Sequence, residues 1–119
     1  MKLPGPDHPM TITQNPRRVR VMAGDIVIAE STKALTLKEA KYPAVQYVPR
    51  EDANMALLER TDRTTHCPYK GDASYYSIKA DGKTLDNAIW TYETPFPAMA
   101  EISGHLAFYP DKVKIEEVE

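Results

Sequence analysis

Residues 74–92, with the sequence SYYSIKADGKTLDNAIWTY, decide the fold class of this chain. Strand-favouring side chains lie on both sides of the Asp-Gly dipeptide at 81–82, which is a strong signal for a two-residue turn between antiparallel strands. Successive side chains of a strand point to opposite faces, so Trp90 and Tyr92 share one face of the second strand. The stretch therefore predicts a β-hairpin.

Similar strand signals recur along the chain on both sides of this hairpin. The single helix signal covers 53–59, with Asp52 as the N-cap. We expect a mainly β protein of about eight strands, a compact antiparallel sheet with one short α-helix. The other predicted elements are a hairpin over 17–28 and strands at 32–37, 42–48, 64–67, 104–109 and 113–118.

Length and local composition predict one domain preceded by an arm. Residues 1–16 show no periodicity and contain Pro4, Pro6 and Pro9, which is typical of an extended segment. Residues 17–119 are predicted to form a single β domain. With 119 residues, of which 42% are hydrophobic, the chain suits one buried core.

Charge and cysteine content exclude several classes of protein. The chain has 15 basic and 17 acidic residues and a net charge of −2, so no basic excess favours nucleic acid or an anionic membrane. The single cysteine, Cys67, excludes an internal disulfide and zinc sites built on paired thiolates, so neither a metal nor a cofactor is predicted. No apolar run spans a bilayer and no signal-peptide stretch is present, so we expect a cytoplasmic protein.

Five sequence blocks occur in an order that points to a known family. They are RVRV at 18–21, YVPRED at 47–52, CPYKG at 67–71, WTYETP at 90–95 and GHLAFY at 104–109. Together they resemble the family catalogued as domain of unknown function 427, over nearly the whole chain. The resemblance implies a compact β fold, similar to the β-tent shape of the Mss4-like group, and it implies no reaction.

The sequence does not support two functions that this resemblance could suggest, nucleotidyl transfer and a metal-dependent role. A nucleotidyltransferase-like label is sometimes attached to the family, but the chain has no Asp-x-Asp pair for two metal ions and no glycine-rich phosphate cradle. The paired Cys-x-x-Cys ligands usual in Mss4-like domains are also missing, so a metal-dependent role should not transfer.

Cys67 is the first candidate for chemistry. A thiolate is a strong nucleophile when a cation stabilises it, and Lys70 lies just across the Pro68 turn. His105 would serve as well if the fold brings it near. Cys67, Lys70 and His105 are therefore the candidate catalytic residues. The alternative is that Cys67 is a small buried hydrophobic side chain, which is common for free cysteine.

Two cationic positions are candidates for binding an anion. Lys70 and Gly71 could form a turn whose backbone N–H groups and ammonium hold an anion, or they could be an ordinary turn with the lysine in solvent. Arg50 precedes a predicted helix, where a cation is electrostatically mismatched. It should therefore pair with a carboxylate such as Glu93 or bind a ligand anion.

Aromatic residues could form the wall of a pocket. In the strand at 104–109, Leu106 and Phe108 look like core, whereas His105 and Tyr109 either face solvent or line a concave surface. Aromatic walls with a few polar tips are typical of small-molecule pockets, but aromatic residues are also common in ordinary β-sheets.

The preferred hypothesis is a domain that binds a small anionic molecule in a pocket around the block at 67–71. The predicted ligand-binding residues are Arg50, Tyr69, Gly71, Tyr76, Trp90 and Tyr92. The alternative is a non-catalytic interaction domain, in which edge strands and the connection at 95–98 dock a partner or a second copy to give a homo-oligomer. A third hypothesis is an enzyme, with Cys67 as nucleophile or Tyr69 and His105 as an acid/base pair.

Overall fold

Ten strands are present in the computed structural model, which describes residues 1–118. The mainly β prediction is confirmed. The strands are β1 (Met10–Gln14), β2 (Arg18–Ala23), β3 (Ile26–Ser31), β4 (Leu35–Glu39), β5 (Val45–Tyr47), β6 (Leu58–Cys67), β7 (Gly71–Ala80), β8 (Lys83–Thr91), β9 (Leu106–Phe108) and β10 (Lys114–Val118).

Antiparallel pairing arranges these strands in three sheets, with the orders β1-β4-β5, β10-β2-β3 and β6-β7-β8-β9. Both predicted hairpins are confirmed, as β2-β3 and β7-β8. The second hairpin turns at Asp81 and Gly82, whose φ angles of 55° and 71° are those of a type I′ turn. The sheets do not close into a barrel within residues 1–118.

The four-stranded sheet has a hydrophobic core on each of its faces. Along β7, Tyr76 and Ile78 belong to the first core, and Ala73 and Tyr75 belong to the second. The first core lies against β2 and β3, and the second lies against β4 and β5. Because successive side chains of a strand point to opposite faces, the position of a residue along the strand decides which of the two cores its side chain enters.

The predicted α-helix at 53–59 is wrong. The structure has two 3-10 turns, Arg50–Asp52 and Met55–Leu57, and β6 begins directly after them. Ala53, between the turns, forms a β-bridge with Ala29 of β3, so its backbone is extended where a helix would need it coiled. A helix of two turns is too weak alone to compete with such tertiary hydrogen bonds.

The predicted helix cap has a different role. The Asp52 carboxylate accepts a hydrogen bond from Ser31 Oγ at 2.6 Å, which ties the first turn to β3. Asn54 caps the second turn instead, because its side-chain oxygen accepts from the Ala56 N–H at 3.2 Å.

No helix among residues 1–118 is long and apolar enough to cross a membrane.

The segment 1–16, expected as an extended arm, includes strand β1. This strand pairs with β4 along its whole length, and the Lys2 N–H donates to the Pro68 carbonyl at 2.7 Å. Part of the segment is thus held by the body of the protein. The division into an arm and a domain at residue 16 stays a prediction.

Gly71, the first residue of β7, provides a test of the backbone conformation at the start of this strand. Its φ of +112° is strained for other residues, and an added Cβ would lie 3.6 Å from backbone atoms of the segment 94–96. We expect Gly71→Ala to lower the free energy of unfolding by about 1–3 kcal/mol in a urea titration.

Gly5→Ala is the matched control for this substitution. Gly5 has open space around its Cα and no positive φ, so the change should stay within about 0.5 kcal/mol. Equal stabilities of the two variants would contradict the strain assigned to Gly71.

Candidate functional site

Aromatic side chains surround a cavity of about 370 Å³ between the second core and the surface. The sheet β1-β4-β5 forms one side, and residues from β7, β8 and the end of β9 form the other. The polar side chains Glu39 and Lys70 also line it. The aromatic lining residues are Tyr42, Tyr47, Tyr75, Trp90, Tyr92 and Tyr109.

A buried ion pair lies at the polar end of the cavity. Lys70 Nζ is 2.6 Å from Glu39 Oε1, and the Lys70 side chain is only 9% exposed. The other carboxylate oxygen, Glu39 Oε2, accepts a hydrogen bond from His8 Nε2 at 2.7 Å. The Lys70 ammonium also lies 5.9 Å from the centre of the Tyr92 ring. Lys70 is therefore held by a carboxylate and a ring at the same time.

The pKa of Glu39 reflects these contacts. Burial raises the pKa, but the hydrogen bonds from Lys70 and His8 outweigh burial and the net pKa is lowered. A carboxyl group with a lowered folded-state pKa stabilises the fold above its ordinary pKa. That stability is lost as the pH falls through the lowered value.

The tyrosine hydroxyl groups on the cavity wall differ in whether they form hydrogen bonds within the protein. Trp90 Nε1 donates to the Tyr47 hydroxyl at 3.2 Å, and the two rings meet edge to face. Burial raises the pKa of both Tyr47 and Tyr92, so both phenols stay neutral. The Tyr92 hydroxyl forms no hydrogen bond with residues 1–118. Every fully buried side-chain oxygen in the same residues has a hydrogen-bond partner, so the Tyr92 hydroxyl is not one of the fully buried oxygens. The Tyr92 hydroxyl is therefore at least partly open to solvent.

Tyr75 and Tyr109 form a stacked and hydrogen-bonded pair. Their hydroxyl oxygens are 3.4 Å apart, and Tyr75 is also 2.9 Å from the Thr65 hydroxyl. Burial raises the pKa of Tyr109. At Tyr75 burial acts in the same direction, but hydrogen bonds with Thr65 and Tyr109 and the nearby Arg63 guanidinium outweigh it and lower the pKa. Tyr75 is the more acidic phenol of the pair.

Of the predicted site residues, Lys70, Trp90 and Tyr92 line this cavity. Cys67 packs against the same core without lining the cavity. Tyr69 lies outside it, stacked on the His8 ring with centroids 4.1 Å apart. Gly71, beside Lys70, packs against the backbone at 94–96.

The remaining predicted residues are elsewhere. Arg50 donates to the Tyr76 hydroxyl at 3.0 Å and lies 3.6 Å from Glu93, so of its two predicted partners the carboxylate is the one observed. Tyr76 belongs to the first core, on the opposite face of the four-stranded sheet. The hypothesis that one hollow collects all these residues is therefore wrong for Arg50 and Tyr76. Strand alternation sends Tyr76 to the other face, and Arg50, in the first 3-10 turn, contacts Tyr76 there.

His105 is also outside the cavity. Its Nδ1 is 3.0 Å from the Ser103 carbonyl oxygen, and the side chain is half-buried. The catalytic roles of Cys67, Lys70 and His105 stay predictions. Within the described residues 1–118, no group of three or more His, Cys, Asp or Glu side chains could hold a metal ion.

Comparison with known proteins places the chain in a family. A family model described as Domain of unknown function (DUF427) matches residues 11–119. The chain belongs to the DUF427 family. No curated protein matches the chain significantly. The resemblance drawn from the five sequence blocks is thus confirmed, and the function of this DUF427 domain has to be argued from its geometry.

Sequence reasoning missed several lining residues of the cavity, among them Tyr47, Tyr75 and Glu39. Tyr47 lies in a strand that was predicted, and Tyr75 lies beside Tyr76, which was selected in its place. The alternation of the strand was the available signal, but it does not say which face is open. Glu39 had no local signal, because its pairing with Lys70 depends on the packing of two sheets.

The Tyr75–Tyr109 pair gives a spectroscopic test. Ultraviolet titration of the phenols should show one tyrosine that ionises below the ordinary pKa of the side chain, because hydrogen bonds with Thr65 and Tyr109 and the positive charge of Arg63 stabilise the Tyr75 phenolate. The early step should vanish in Tyr75→Phe and move to higher pH in Arg63→Gln.

Tyr42→Phe is the control for this titration. Tyr42 is 63% exposed, so its loss should leave the early ionisation in place. An early step that persists in Tyr75→Phe would contradict the assignment.

Proposed function

We propose that this DUF427 domain binds a small molecule in the aromatic cavity. A planar or aromatic body would lie between the rings, and a hydrogen-bond acceptor would meet Lys70. The supporting observation is that six aromatic side chains and one buried ion pair face the same cavity of about 370 Å³. Ligand pockets generally combine apolar walls with a few fixed polar groups in this way.

The polar end of the cavity indicates which ligand groups would bind. The Lys70 ammonium has three N–H donors and uses one for Glu39, which leaves donors for a ligand oxygen. The Tyr92 hydroxyl can donate or accept beside it. Because Glu39 already balances the charge of Lys70, a neutral carbonyl should bind here about as well as a carboxylate. The anionic ligand expected from the sequence thus becomes one of two acceptor classes.

The proposal is limited to binding. Among the predicted catalytic residues only Lys70 lines the cavity, and its ammonium is tied to a carboxylate at 2.6 Å. An amine in such an ion pair is a hydrogen-bond donor and not a nucleophile. The size of the cavity suits a ligand with one or two rings, near the lower end of the roughly 300–1,000 Å³ usual for small-molecule sites.

Trp90 supplies the measurement, because it is the only tryptophan in the sequence and it lines the cavity. Intrinsic fluorescence is titrated with benzoate, benzamide and phenyltrimethylammonium, which share a ring and differ in charge. Benzoate and benzamide should change the Trp90 emission with similar affinities. Phenyltrimethylammonium offers no acceptor to the Lys70 N–H groups and should bind more weakly.

Two variants separate cavity binding from surface effects. Val45→Phe places a ring in the cavity and should weaken benzamide binding by at least about tenfold, equivalent to about 1.4 kcal/mol. Arg50→Gln alters the opposite face and should leave the affinity unchanged. The proposal fails if neither benzoate nor benzamide perturbs Trp90, or if Val45→Phe binds benzamide as well as the parent protein.

A further inference from the structure

Tyr109 lines two cavities. One is the aromatic cavity, and the other is a neighbouring space of about 390 Å³. The neighbouring space is lined mainly by charged and polar side chains, so it differs in character from the aromatic cavity. Its other lining residues are Arg63, Asp86, Asn87, Asp111 and Lys112. A ligand that passes Tyr109 would therefore meet an apolar region first and a charged region second.

Arg63 is the cation of this second space with the most defined position. The register of β6 against β7 shifts between Arg60 and Thr64, and this irregularity includes Arg63. The guanidinium carbon lies 5.0 Å from the centre of the Tyr75 ring. Stacking on a ring leaves the N–H donors at the edge of the guanidinium free for an acceptor in its plane.

Arg63 also differs from its neighbours on the surface by having no acidic partner. Arg20 and Arg60 pair with Glu30 and Glu93 at 2.6 and 2.8 Å. In the part of the chain that the structure describes, Arg63 forms no ion pair. A guanidinium that is positioned by a ring and has no carboxylate partner in the protein is suited to bind a ligand carboxylate. It can do so through two parallel hydrogen bonds.

We propose that Arg63 binds the carboxylate of a ligand whose aromatic body occupies the aromatic cavity. This inference rests on the proposed function and defines its ligand class further, as an aryl group joined by a short flexible chain to a carboxylic acid. Successive ring centres from Trp90 to Tyr109 and from Tyr109 to Tyr75 are 4.6 and 6.5 Å apart. Arg63 lines the second space and not the aromatic cavity, so the acid group must be separated from the aryl body by several methylene groups.

The acidic residues of the second space favour a singly charged ligand group. Asp86 and Asp111 line it and are exposed, and Lys112 Nζ donates to the Asp86 backbone carbonyl. Water and salt screen the repulsion from exposed aspartates for one negative charge. The two aspartates offset the charges of Arg63 and Lys112, so the space has no net positive charge that would favour a dianion such as phosphate, and a carboxylate is the better match.

The test compares acids with their amides at two chain lengths. The probes are 4-phenylbutanoate, 6-phenylhexanoate and the two corresponding amides, titrated against Trp90 fluorescence. We expect at least one acid to bind about tenfold more tightly than its own amide, a difference of about 1.4 kcal/mol. Benzoate is too short to reach Arg63 and should show no such preference over benzamide.

Arg63→Gln should remove the preference for the acid and leave the affinity of the amides unchanged. Arg63→Lys keeps the charge but loses the bidentate geometry, so part of the preference should remain. Arg17→Gln is the matched control, because it removes the same charge from another exposed arginine and should retain the full preference.

The outcomes separate this inference from the proposed function. If amides bind but no acid is preferred, or if the preference survives in Arg63→Gln, the inference is overturned while cavity binding stands. If no acid or amide alters Trp90 emission, cavity binding itself is wrong, and the inference fails with it.

Discussion

The buried ion pair between Lys70 and Glu39 joins two of the three sheets at the cavity. Glu39 ends β4, and Lys70 immediately precedes β7, so the 2.6 Å contact fixes how close these sheets lie. Removing two charges from water costs several kcal/mol for each ion, and only good geometry and further hydrogen bonds offset that cost. The hydrogen bond from His8 and the ring of Tyr92 supply such contacts. Removal of either charge would leave the other largely buried without its ionic partner, with only the His8 hydrogen bond to Glu39 or the Tyr92 ring beside Lys70.

The two cores of the four-stranded sheet show why the cavity is on one face only. The first core consists mostly of aliphatic side chains such as Val21, Ile28 and Ile89, which interdigitate and fill space. The second core contains more aromatic rings, including Tyr47, Tyr75 and Tyr92. The aromatic cavity lies beside those rings, and the ion pair of Glu39 and Lys70 lines its polar end.

Local sequence was sufficient to predict most of the strands, because alternation and turn chemistry act over a few residues, but it missed β1 and the first part of β6. The Asp-Gly turn at 81–82 and the shared face of Trp90 and Tyr92 both follow from such rules. The helix at 53–59 was mispredicted because Ala53 obtains its backbone partner from β3, more than twenty residues earlier. Glu39 is separated from Lys70 by 31 residues, so only the packing of two sheets brings them together.

A double-mutant cycle on the ion pair tests the central claim most directly. Glu39→Gln, Lys70→Met and the double variant are compared with the parent protein by urea unfolding. Each single substitution should cost about 3 kcal/mol, because it leaves one buried charge unpaired. The double variant should lose much less than the two together, with a coupling energy of about 2 kcal/mol. Additive losses, with coupling below about 0.5 kcal/mol, would contradict the claim that this pair holds the two sheets around the cavity.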